Sequence, residues 1–488
     1  MLYNQIIFIM LKKIVFIIIF TSFILHITFN NDLNAQQKLY FGNNELYKEP
    51  NQAYNPYILE SKYDYSNVAR TITKECKNDY EKICAIYEWI CDNISYDTDY
   101  KIHDADQCWD KRKGVCQAYC NLFYHIAKSI DLKVEIIGGK AKNENTCNGH
   151  SWIFAYTQKN HGILLDPTWG AGYVNGNEFS KNYDCWTWFN VSPQWMILSH
   201  LPEDNSYQFI DNPISFSKFI SLPPVNSLLI SYGMYDNNIY DMAMNDKLSL
   251  PTLYSGGEGK LQLIDFPLQE SLNIGENYTL RVKMLSGNDI AIINQNTLID
   301  KEKWNHEGNN IYSIEFTPNN TGAVSFSIHD NGNTWSTILQ YNIDDTTNND
   351  KNNILDKHSL CKIENINTEE WEKAGISKHK LQELIESHNV KELPITYSDM
   401  GEALKIISIP MTRKLNKGQS YTFSFIPTTN STWAIINNDI WYQEWNIGKD
   451  GSYTMTITPE QEGELIIYVK PDLNQNNYYS CIGFYVIE

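Results

Sequence analysis

The sequence predicts an α+β domain followed by two all-β sandwich repeats. Three observations carry this reading. Two segments, Asn78 to Asp97 and Cys116 to Ile130, space their apolar residues as amphipathic helices do, and short β-rich runs follow them. Beyond about Asn212 that periodicity gives way to alternating Tyr, Thr, Phe, Ile and Val. Within this second half the chain repeats itself.

The elements follow in order. Lys12 and Lys13 precede an apolar run from Ile14 to Leu25, and a polar stretch ends in Leu33-Asn34-Ala35. A basic start, an apolar core of about 7–15 residues and a small residue at the end describe a secretory signal, here residues 1–35. The run is shorter than the about 20 residues a membrane span needs, so an uncleaved anchor ranks second. Residues 36–215 make the α+β domain. Ile83, Ile86, Tyr87, Ile90 and Ile94 mark one face of a helix ending near Asn93. Lys133 to Ile137 is a short strand closed by Gly138 and Gly139. His150 to Thr157 and Gly162 to Asp166 are two further strands, joined through Gln158 to His161 as a hairpin.

The repeat is direct. LPTLYS at Leu250 returns as LPITYS at Leu393, GENYTL at Gly275 as GQSYTF at Gly418, and AIIN at Ala291 as AIIN at Ala434, each 143 residues on. YSIEFTPNNTGAVSFSI at Tyr312 returns as YTMTITPEQEGELIIYV at Tyr453, 141 residues on, which a two-residue deletion explains. Short strands separated by Pro, Gly and Asn turns describe a small antiparallel sandwich. The first occupies 216–345 and the second 393–488. Between them, 346–392 is a polar linker with a helix over Thr368 to His388, capped by Thr368 and buried through Trp371, Leu381, Leu384 and Ile385. The Trp and Tyr residues of the repeats read as core, with a glycan-binding surface as the other reading.

Charge excludes some partners. Against 39 Lys and Arg stand 58 Asp and Glu, a net charge of −19, so neither nucleic acid nor an anionic membrane is expected. Of the ten cysteines, eight fall between Cys76 and Cys185, without a CxxC pair or a Cys/His cluster at zinc spacing. DNGNTW at Asp330 lacks the Glu of a calcium loop and reads as a turn. No metal or other cofactor is implied.

Cys116 admits three readings: nucleophile, half of a disulfide, or packed thiol. It opens a helix whose apolar face runs through Ala118, Leu122, Phe123, Ile126, Ala127 and Ile130, with Gly114 giving the chain freedom to turn into it. Free N–H groups and the positive dipole end converge there and favour a thiolate. Cys120, one turn later, reads as packed. A thiolate needs a base and an orienting group. A hairpin centred on position 158 sets His150 opposite Asp166 with Cβ atoms about 5 Å apart, close enough for the carboxylate to fix the imidazole tautomer. Each feature alone is commonly structural. Together they favour a nucleophile, a base and an orienting acid, known by role and not by chain position.

YEWICDNISYD, RKGVCQAYCNLFYHIAKSIDLKVEIIGGKAK, GHSWIFAY and LLDPTWGAG, in that order, resemble a transglutaminase-like domain, the papain-related fold. GVCQAYCNLF, DPTWGAG and FNVSPQWMILSHLPEDNSYQFI look most like the kyphoscoliosis-peptidase type. The resemblance spans about Tyr57 to Ile220. It implies Cys116 as nucleophile, His150 as general base and Asp166 as orienting acid. For the oxyanion it offers Gln107 and Trp109, beside the backbone N–H of Cys116. Trp152 and Trp169 are candidate cleft walls. The expected function is an exported thiol enzyme acting on peptide or glutamine amide bonds through an acyl-thioester, with hydrolysis favoured by the resemblance. The alternative is a non-catalytic cell-surface or periplasmic protein whose Ig-like repeats bind glycan or protein.

Overall fold

The computed structural model of the chain describes residues 46–48 and 55–488, apart from 144–146, 183–184, 224, 226–227, 235–236, 246–247, 295–296, 330–333, 345–362, 364–365, 398–399, 430 and 471–477. The expected signal, the polar run after Asp344 and most of DNGNTW therefore lie outside the described residues. Two compact units divide the chain: Met1–Pro213 with Leu222–Asp345, and Ile214–Ser221 with Thr346–Glu488.

In the first unit an antiparallel sheet runs Leu46–Tyr47, His161–Leu165, Cys147–Gln158, Val134–Lys142, His200–Pro202, and Phe189–Val191 also pairs with His161–Leu165. The Cys116–Lys128 helix forms because Ala118, Tyr119, Leu122, Phe123, Ile126 and Ala127 recur on one face and are sealed against this sheet's side chains, Ile136, Ile153 and Leu165 among them. It stops where Asp131 turns left-handed at φ 62° and the Leu132 N–H donates back to the Ala127 carbonyl. The Asp79–Asn93 helix starts at Asn78, whose side chain accepts from the Glu81 N–H, and buries Ile83, Ile86, Tyr87 and Ile90 in the same core.

Gly114 serves the helix start differently from the expectation. Its φ is not left-handed. A Cβ there would lie 2.6 Å from the Ala118 Cβ and 3.1 Å from the Cys108 sulfur, so glycine permits close approach and not an unusual turn.

The hairpin also differs in register. Ile153 faces Leu165 and Phe154 faces Leu164, so the turn is the pair Lys159-Asn160, with Asn160 at φ 62°. The ladder ends before Asp166, which by continuation lies level with Trp152 and not with His150. The two-residue difference preserves the face, because side chains alternate with period two.

Helices Leu228–Ser231 and Asn237–Met244 occupy part of the stretch expected to be β. They bury Leu229, Ile230, Ile239 and Ala243, and are too short for a helical period to stand out in sequence. The first sandwich starts later, at Thr252–Leu253. Its larger sheet runs Thr252–Leu253, Trp335–Asp344, Gly322–His329, Ile290–Asn294, Thr297–Asp300, with Ser271–Asn273 parallel to Trp335–Asp344. The smaller runs Leu261–Asp265, Tyr278–Met284, Ile311–Phe316, Asn305–Gly308.

In the second unit the second sandwich repeats this order strand for strand: Ile395–Thr396, Tyr479–Ile487, Gly463–Lys470, Thr432–Asn437, Ile440–Tyr442, with Lys414–Asn416 parallel to Tyr479–Ile487. Leu404–Ser408, Tyr421–Pro427, Tyr453–Ile457 and Asn446–Ile447 complete it. Each repeat is thus all-β, with one six-stranded and one four-stranded sheet. Trp304 and Trp433 are core, whereas Trp441 is half exposed. The helix expected over 368–388 is two, Glu369–Lys373 and Lys378–Ser387, parted at Gly375 (φ 91°). Ser377 caps the second, while Thr368 makes no cap bond.

Candidate active site

Cys116 is the first residue of its helix and follows Val115, whose side chain supplies no cap. The first-turn N–H groups thus keep their positive field for the thiol. Its sulfur has the His150 ring and the Ser151 N–H as its stabilising neighbours. Burial pushes the thiol up, but these neighbours, the His150 charge foremost, outweigh it and hold Cys116 below the ordinary thiol range. Cys120 lacks such neighbours, and burial drives it far above that range, as a packed thiol. No disulfide joins two cysteines among the described residues.

His150 lies on the Cys147–Gln158 strand opposite Gly139. Its Nε2–H donates to Asp166 Oδ2 at 2.7 Å, which leaves Nδ1 to face the sulfur. Burial pulls its pKa down, yet Asp166 and Cys116 together push it up to about 10. Both shifts favour the thiolate–imidazolium form of the pair.

Asp166 is fully buried at the N-terminus of the Pro167–Ala171 helix. Its Oδ1 accepts from the Thr168 N–H at 2.8 Å and the Trp169 N–H at 3.0 Å. Burial opposes its charge, but His150 and a second imidazole hold it well below the usual carboxylate range. That second imidazole is His200, from the His200–Pro202 strand, whose Nε2 lies 3.1 Å from Asp166 Oδ2 and whose Nδ1 lies 2.8 Å from the Ser199 hydroxyl. Burial pulls His200 down to about 4, beyond what Asp166 restores, so it is neutral near pH 7.

Aromatic rings enclose the pair. Trp152 stacks on His150 at 6.1 Å and 21°, and Trp169 and Trp188 lie 4.5 and 5.1 Å from the His200 ring. Trp169 lines an open groove of about 840 Å³ together with His150, Tyr96, Thr168 and Tyr173. Trp152, expected as a second wall, is instead sealed at 1% exposure beneath His150. Neither oxyanion candidate lines the groove. Gln107 spends its amide on Asp104, and Trp109 packs against both Trp89 and the Arg112 guanidinium. The backbone N–H of Cys116 remains as donor.

The ligand atoms of His150, Asp166 and His200 lie within 4.8 Å of one another, a composition that suits a metal ion. Both Nε2 atoms, however, are aimed at Asp166 Oδ2 as proton donors, and a cation would have to displace those protons. Sequence reasoning missed His200, because a single histidine on a three-residue strand carries no periodic signal.

Residues 66–167 match the family model of the transglutaminase-like superfamily. Kyphoscoliosis peptidase of Mus musculus is 25% identical over 164 residues, covering 30% of this chain and 24% of that protein. The Homo sapiens kyphoscoliosis peptidase is 24% identical over 177 residues, covering 33% and 26%. Hillarin of Drosophila melanogaster is 24% identical over 204 residues, covering 36% and 24%. The chain thus spans about a quarter of the length of the curated relatives it matches. A solved structure of a TGase is 15% identical, covering 24% of this chain and 32% of that one, with a TM-score of 0.19.

Proposed function

The chain carries a transglutaminase-like domain related to the kyphoscoliosis peptidases, and on that premise we propose an exported thiol enzyme that hydrolyses peptide bonds of protein substrates. One observation supports it above the others. Cys116, at a helix start, neighbours a histidine that is itself hydrogen-bonded to a buried carboxylate, and the charges of this group favour thiolate and imidazolium.

The Cys116 thiolate attacks the amide carbonyl carbon, and the negative charge moves to the carbonyl oxygen beside the Cys116 N–H. When the tetrahedral intermediate collapses, the C–N bond breaks and His150 gives its proton to the departing amine nitrogen. An acyl-thioester remains. Neutral His150 then takes a proton from water as its oxygen attacks the thioester carbon. The C–S bond breaks, releasing the carboxylic acid and restoring the thiolate. The open groove beside His150 admits an extended chain better than a closed pocket would. Export is supported by the basic and apolar pattern of residues 1–35.

Alkylation tests the nucleophile. Iodoacetamide at pH 6 is expected to modify Cys116 at least tenfold faster than an unstructured cysteine peptide, in line with a lowered thiol. Equal rates sink the activated thiol. Incubation with a tryptic peptide library is expected to yield new termini with the wild type and none with Cys116→Ala. Termini independent of Cys116, or none from either protein, overturn the peptidase reading.

A further inference from the structure

We propose that His200 is a positioning residue: its Nε2–H holds Asp166 Oδ2 in place for His150, while its Nδ1 is held by the Ser199 hydroxyl. This rests on the reading of Cys116 as nucleophile.

The Asp166 carboxylate, at 0% exposure, has no water to satisfy it and needs protein donors at both oxygens. It has two at each. Oδ1 takes the Thr168 and Trp169 N–H groups, and Oδ2 takes the two imidazoles. The backbone donors fix one oxygen only. Without His200, Oδ2 would be held by His150 alone, the group that must change its protonation during turnover. A buried anion losing a donor takes a proton more readily or turns toward another partner. Either response weakens the field that keeps His150 charged and, through it, Cys116 ionised.

The two histidines share one oxygen yet are built for different tasks. His150 lines the groove and is electrostatically coupled to the thiol. His200 is sealed among Trp152, Trp169 and Trp188, away from the sulfur. The Asp166 carboxylate can only accept, which places the ring proton on Nε2, and at Nδ1 the ring meets the Ser199 hydroxyl, which can donate to it. Among the described residues, the titratable groups around Asp166 other than the two histidines and Cys116 are Tyr87, Cys91, Tyr96, Tyr119 and Cys120. Burial keeps all five protonated through neutral pH, so none competes for the role.

The test needs no knowledge of the substrate. The rate of Cys116 alkylation by iodoacetamide is followed from pH 4 to 9 in the full chain. In the wild type its acid limb is expected well below that of an unstructured thiol. His200→Leu removes the donor at similar size and is expected to slow alkylation at pH 6 about tenfold and move the limb upward. His200→Gln keeps an N–H near the Nε2 position and is expected to recover most of the rate. Equal slowing in both variants would mean the ring merely fills space, and an unchanged His200→Leu limb would mean it does nothing for the thiol; both overturn the proposal. Should His200→Leu fail to melt cooperatively, Ser199→Ala decides. Slowed alkylation at an unchanged melting temperature supports the relay, and an unchanged rate overturns it. A wild-type limb at the ordinary thiol value would sink the nucleophile reading itself, a result distinct from any of these.

Discussion

Asp166 spends both oxygens on four donors, and that arrangement ties the site's chemistry to the stability of the fold. His200 has a folded pKa of about 4 against an ordinary 6.5. As pH falls, the unfolded chain therefore takes up this proton before the folded one does. The stability the neutral ring contributes is fully present above pH 6.5 and is lost as pH falls through 4, a span worth about 3 kcal/mol. Asp166, depressed as well, adds loss at still lower pH. Urea unfolding of the wild type is expected to show a midpoint that declines between pH 6.5 and 4, and His200→Leu is expected to flatten that decline. Equal slopes in the two proteins would show that His200 titrates normally. At this scale the sequence was partly legible. Cys116 could be read because a helix period begins at it, and His150 with Asp166 because they flank a hairpin. His200 could not, since its partners are set by which strand lies at the sheet's edge.

Elements bring these residues together through close approach. The parallel pairing of Ser95–Tyr96 with Lys113–Gly114 presses Gly114 onto the first turn of the Cys116 helix. Gly114→Ala would put a methyl 2.6 Å from the Ala118 Cβ, and neither backbone can yield without shifting the turn that holds the thiol. A cost of about 1–3 kcal/mol is expected in chemical unfolding, with slower Cys116 alkylation. Gly114→Ala with Ala118→Gly removes the closest clash, leaving the 3.1 Å approach to the Cys108 sulfur, and is expected to regain part of the alkylation rate, less the helix propensity lost at 118. A double variant no better than the single one would place the strain elsewhere. The hairpin makes a related point about legibility. Its strands and their facing sides were readable because alternation survives an even shift, but the register was not. The two-residue turn at Lys159-Asn160 is favoured by an asparagine that tolerates positive φ, and a count from the segment's midpoint does not weigh that preference.

At the scale of the whole molecule, duplication was the strongest signal in the sequence, and the strand orders of the two sandwiches correspond throughout. The short helices before the first sandwich were hidden, because each offers only one or two buried positions. The duplication supplies matched probes of each unit's stability. Leu272 and Leu415 occupy equivalent strands, each paired in parallel with the last strand of its sandwich, and each is fully buried. They fall in different units. Truncating either to alanine removes the same atoms from the same kind of core, at a cost of about 2–5 kcal/mol. Leu415→Ala is expected to lower the unfolding midpoint of the second unit and leave the urea concentration at which buried Cys120 becomes open to alkylation unchanged. Leu272→Ala is expected to lower that concentration, because its sandwich belongs to the same compact unit as the thiol. If Leu415→Ala exposes Cys120 as early as Leu272→Ala does, the units unfold as one cooperative body, and the second sandwich contributes to the stability of the candidate active site.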